Sequence, residues 1–119
     1  MGFVAAAEAA DETTLQSMLA DDPGLRDEHA GLIPRFAETR NWTAIRVLVN
    51  LGFEVDGVTS DGATPLHHAA AAGELAIAKL LVEHGADPNA REPEFGAQPA
   101  GWAQYFKQRE TQEYLESLA

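Results

Sequence analysis

The stretch from Asp61 to Ala90 folds locally but cannot stand alone, and this constrains the chain more than any other feature. Thr64 is suited to cap a helix N-terminus, and Pro65 sits at the first helical position, where its missing N–H costs nothing. Leu66, Ala69 and Ala70 then fall on one face of a short helix, which Gly73 can end in the left-handed conformation. A second helix presents Leu75, Ile77, Ala78, Leu80 and Leu81 inward and stops at Gly85. An extended return through Asp87, Pro88 and Asn89 completes the unit. Two short helices and a turn cannot bury their own apolar faces, so neighbours of the same kind are required.

Those neighbours are visible at a period of 33–34 residues. Gly62, Thr64, Pro65 and Ala69 recur as Gly96, Gln98, Pro99 and Ala103. The second helix of that last unit is expected over roughly Glu110 to Leu118, with Tyr114, Leu115 and Leu118 inward. In the other direction Leu66, Ala70, Leu80, Leu81 and Gly85 correspond to Ile33, Ala37, Val47, Leu48 and Gly52, with Arg40 in place of the first-helix glycine. Phe3 to Ala7 and Thr14 to Leu19 read as the helices of a first unit, closed by Asp22-Pro23-Gly24.

The blocks T-P-L-H-x-A-A at 64–70, L-x-I-A-K-L-L at 75–81 and G-A-D-P-N-A at 85–90 resemble the ankyrin repeat along its whole length. The resemblance implies an all-α solenoid of about four stacked helix-turn-helix units in a single ankyrin-repeat domain, 1–119. Its approximate units are 1–27 (N-terminal cap), 28–60, 61–93 and 94–119 (C-terminal cap). It also implies that His67, at the motif's own histidine position, ties the turns of adjacent units together.

Composition agrees with a helical stack and narrows its role. Alanine runs at 5–7 and 69–72 favour helices that approach closely. No segment is apolar enough to span a bilayer, and Glu8, Asp11 and Glu12 interrupt any export-signal core, so a cytoplasmic protein is expected. With no cysteine there is no disulfide framework and no thiolate metal site. The net charge of −11 falls mainly on residues 1–30 and 54–94, while 31–53 carry Arg35, Arg40 and Arg46 against Glu38. Such a field repels phosphate backbones, which argues against nucleic acid.

Nothing in the chain spells an active site. His67 and His68 are adjacent on a helix and so point about 100° apart, unsuited to hold one ion together. His84 suits a helix C-terminus, and Glu74 and Asp87 suit caps and turns; His29 lies in a turn without a visible partner. No nucleophile elbow, phosphate loop or H-E-x-x-H occurs. The expectation is no enzyme, no cofactor and no metal, with a hydrolase built on His67 or His68 the remote exception.

What is left is surface. The family binds partners on the concave side formed by turn tips and first helices, which here carries Ser60, Asp61, Ala63, His68, Ala71 and Ala72. Arg35, Glu38 and Thr39 occupy the matching places one unit earlier. In the last unit they are Phe95, Ala97, Trp102, Tyr105 and Phe106. These aromatics can fold inward to replace a missing repeat, form a binding hot spot, or mediate self-association. Small Ala71 and Ala72 beside them suggest the floor of a shallow pocket. The resulting expectation is a protein-binding module for another protein. The alternatives are a small acidic inhibitor or immunity-type partner of a basic enzyme, and a scaffold or regulatory part of a larger assembly.

Overall fold

The structure, a computed structural model, describes residues 2–118; Met1 and Ala119, included in the expected first and last units, lie outside the described residues. The helices are α1 (Phe3–Glu8), α2 (Glu12–Asp21), α3 (Leu25–Glu28), α4 (Leu32–Glu38), α5 (Trp42–Asn50), α6 (Pro65–Ala72), α7 (Leu75–Glu83), α8 (Pro99–Tyr105) and α9 (Arg109–Glu116). There is no strand among the described residues. Helices pair as α1/α2, α4/α5, α6/α7 and α8/α9. The first helices α4, α6 and α8 then pack in one row and the second helices α5, α7 and α9 in another, with α1 against α5. Layers about 8–10 Å apart give the elongated body, 42 × 24 × 22 Å.

Local chemistry explains where each helix begins. Asp11 accepts the Thr14 amide at 3.2 Å to start α2, and Asn41 accepts the Ala44 amide at 3.2 Å to start α5. Thr64 caps α6 with Pro65 behind it, as the motif requires. Leu66, Ala69, Ala70, Ile77, Ala78 and Leu81 are buried, whereas Leu75 and Leu80 are only half-buried. Leu15, Ile33, Ile45 and Leu48 extend the same core through the earlier units.

Hydrogen bonds bridge every junction between pairs. Asn41 Nδ2 donates to the Glu8 carbonyl at 3.1 Å, and Arg26 Nε to the Leu51 carbonyl at 2.6 Å. The Ser60 amide donates to Glu38 Oε1 at 2.7 Å, and the Asp87 amide to Asp56 Oδ1 at 3.1 Å. His67 Nδ1 accepts the Thr64 amide at 3.2 Å, leaving Nε2–H to donate to the Ala97 carbonyl at 2.8 Å. The inter-unit tie implied for His67 is therefore present. Burial lowers its pKa below 6.5, and the ring serves as a neutral donor and acceptor.

Four sequence expectations need correction. A short helix, α3, replaces the open turn expected after Gly24, and His29 beyond it stacks on Phe3 with ring centroids 5.0 Å apart. The last helix ends at Glu116, so Leu118 lies beyond its cap and is 38% exposed rather than inward. Glu74 occupies the cap position of α7 without a side-chain capping bond. Ala63 is fully buried and contributes nothing to the surface. Tyr114 is half-buried under Lys79, and Leu115 is buried as expected.

Every first helix ends on a residue in the left-handed region: Ala10 (φ 54°), Arg40 (φ 60°), Gly73 (φ 71°) and Lys107 (φ 61°). Only Gly73 adopts it without a Cβ clash. Replacing Arg40 or Lys107 by glycine should therefore stabilise the stack by about 0.5–1 kcal/mol each, measured by urea denaturation.

Candidate functional site

The turn tips project from the first-helix row, and the last one is built differently from its neighbour. In the third unit the Thr59 amide donates to the Ala63 carbonyl and the Gly62 amide to the Thr59 carbonyl. In the fourth, Glu92 makes the same pair of bonds with Ala97 and Gly96. Thr59 and Glu92 are thus equivalent, and the fourth tip has one more residue between the ends of the turn. Helix positions follow at a spacing of 34 and the base of the tip at 33. The tips touch: Gly62, at φ 83°, has no room for a Cβ because Pro93 Cγ would lie 2.6 Å away.

The lengthened tip is organised around Glu92, which is only 2% exposed. Its carboxylate accepts the amides of Glu94 at 2.7 Å, Phe95 at 3.0 Å and Ala97 at 3.1 Å. The Trp102 indole N–H completes the shell at 3.5 Å. Burial pushes the Glu92 pKa up, but the Phe95, Ala97, Trp102 and Glu94 donors outweigh it and hold the group below 4.5. The same pairing exists one unit earlier, where Thr59 Oγ1 lies 3.3 Å from His68 Nε2. Glu92 went unnoticed in the sequence; the one-residue slip between the two spacings was the signal that could have exposed it.

The aromatic positions separate into two kinds. Trp102 is half-buried, its ring edge-on to His67 at 5.1 Å and His68 at 5.4 Å, so it packs back onto the preceding unit. Phe95, Tyr105 and Phe106 are 76%, 79% and 51% exposed. With Trp102, Ala97 and Gly101 they surround a cavity of about 470 Å³ at the end of the first-helix row. The small residues in its wall are Ala97 and Gly101, not Ala71 and Ala72, which are half-buried on α6. The Ala71 carbonyl instead accepts Gln108 Nε2 at 3.2 Å.

The polar candidates lie beside this cavity. His68 Nε2 is 3.8 Å from Asp61 Oδ1, and Asp61 also accepts the Thr59 hydroxyl and the Ala63 amide. The Thr59 hydroxyl bond holds the Asp61 carboxyl below its usual pKa. Burial lowers the pKa of His68, opposed by Asp61 and Glu38. Ser60 and Asp61 are exposed, as are Arg35 and Glu38 on α4 and Thr39 at its C-cap. Thr59, His68 and Asp61 meet at one ring nitrogen, so no proton relay runs from hydroxyl through imidazole to carboxylate. Among the described residues no cluster of three His, Cys, Asp or Glu could hold a metal ion, and no helix is long and apolar enough to cross a membrane.

Comparison with known proteins agrees with this architecture. Over 52 residues the chain is 42% identical to the ankyrin repeat and LEM domain-containing protein 1 homolog of Caenorhabditis elegans. It is 44% identical over 52 residues to delta-latroinsectotoxin-Lt1a of Latrodectus tredecimguttatus. These alignments cover 44% and 43% of the chain but only 7% and 4% of the relatives, which are far longer proteins. A family model described as ankyrin repeats, in three copies, matches residues 3–92 and stops where the fourth tip gains its residue. The stacked helix pairs, the Thr64–His67 cap and this match together place the chain in the ankyrin-repeat family.

Proposed function

We propose that this ankyrin stack captures a partner protein on its concave face, with the aromatic end cavity as the anchor point. Ankyrin repeats generally mediate protein–protein interaction and are generally not enzymes. One observation carries the more specific reading: Phe95, on a tip held by a buried carboxylate, and Tyr105 and Phe106, at the end of α8, stand exposed around one apolar cavity. Exposed rings gathered round one cavity favour binding, and a tip already tied down at the Phe95 amide loses less loop freedom when a partner arrives. Ser60, Asp61, His68, Ala71 and Ala72 form the approach to that cavity, and Trp102 supports it from behind.

Tyr105→Ala combined with Phe106→Ala tests this directly. Their rings contact each other at 5.0 Å centroid separation, and both project away from the core. A partner purified on the native chain and titrated by calorimetry should lose about 2 kcal/mol or more of affinity for the double variant. Its circular dichroism should match the parent. Unchanged affinity with intact helicity would refute the anchor role.

A further inference from the structure

The cavity and the polar ground beside it form one continuous surface. The Trp102 ring lies 5.4 Å from His68, His68 Nε2 lies 3.8 Å from Asp61, and Glu38 Oε1 binds the amide of Ser60, next to Asp61. This places an acidic ledge one repeat away from the rings: Asp61 on the third tip, with the Glu38 carboxylate reaching that tip from α4 of the unit before. Apart from burial, the charges acting on His68 are those of Asp61, Glu38 and, more weakly, Arg40. Arg35, also on α4, lies 4.0 Å from Glu8, so the two ledge carboxylates face Arg40 alone. At the cavity itself Glu94 precedes Phe95 on one side and Lys107 follows Phe106 on the other, so the sign of the surface is set by the ledge. The cavity lining is mostly apolar and aromatic and carries no charged side chain, which suits an uncharged side chain.

Resting on the capture role above, we propose that the partner is an extended segment carrying an apolar side chain and, about three residues away, a lysine or arginine. The apolar side chain fills the aromatic cavity, and the base lies against Asp61 and Glu38. The spacing follows from geometry: one repeat advances about 8–10 Å, and an extended chain covers about 3.3 Å per residue. The charge follows from complementarity with the ledge and with a chain of net charge −11. That charge also opposes a second copy as the occupant.

Selection from a phage library of random peptides about a dozen residues long tests the inference on the intact chain. Enriched clones should combine Phe, Leu, Met or Trp with a base about three residues to either side, and the corresponding synthetic peptide should bind less well as salt rises. Glu38→Arg should weaken that peptide about two- to fivefold and shift a fresh selection towards acidic residues at the same spacing. Tyr105→Ala with Phe106→Ala should weaken it about thirtyfold or more. Apolar anchors enriched with acidic or uncharged neighbours, or no enrichment at all, would overturn the proposed partner chemistry while leaving the capture site standing. Binding indifferent to the double aromatic variant would instead remove the capture site and, with it, this inference.

Discussion

Leu81→Ala is expected to destabilise the chain by about 2–5 kcal/mol, because it leaves a cavity where no neighbour can close in. Leu81 is completely buried on α7, the helix that packs against α5, α6 and α9. Its side chain thus fills space shared by three units. A domain of this size has only about 5–15 kcal/mol of total stability, so this one truncation removes a large part of it. Urea denaturation should show the unfolding free energy falling by that amount and the midpoint falling in proportion. Leu118→Ala, at a residue 38% exposed beyond the last helix, should stay within about 0.5 kcal/mol of the parent. Equal effects at the two leucines would mean that the core does not run through α7.

Glu92→Ala should have the second large effect, and a more local one. Removing the carboxylate strands the amides of Glu94, Phe95 and Ala97 and releases the Trp102 indole. Partly buried N–H groups that lose a charged acceptor are costly to leave unpaired, so the tip should open and α8 loosen against α6. A red shift of tryptophan emission, with amide exchange at Phe95 and Ala97 raised above that at Leu48, would report it. Acid should mimic the substitution. The folded pKa lies below 4.5, so this stabilisation is complete above that value and is lost as pH falls through the lower folded value. Glu92→Gln should remove that acid-dependent step. A tip that stays closed in Glu92→Ala would show that the carboxylate does not hold it.

Much of the fold was legible because each ankyrin turn writes its mechanics in side chains. Thr64 and Pro65 start α6, Gly73 ends it, and His67 reaches across to Ala97, all through residue types that few other arrangements need. Arg40 marked its helix end only through the repeat alignment and Lys107 hid the equivalent one, since a non-glycine residue can be forced left-handed by packing that no local pattern records. Helix α3 and the position of Leu118 were missed because short helices and last turns depend on neighbours more than on propensity. At the site, the exposure of Tyr105 and the burial of Glu92 could not be separated by residue type. An aromatic ring is expected inside and a carboxylate outside; the tip reverses both at Phe95 and Glu92, and the end of α8 leaves Tyr105 exposed as well. The reversal follows from one inserted residue, which directs amides inward around Glu92 and leaves Phe95 at the crest.

The extra residue in the fourth tip also bears on how such a chain can change. The helices on either side keep their stacking, and the added length is taken up entirely within the segment between Glu92 and Ala97. Recognition can therefore drift by tip length and tip sequence while the load of folding stays with the helices. Exchanging residues 93–96 for other short segments should retarget this surface without redesigning the scaffold beneath it.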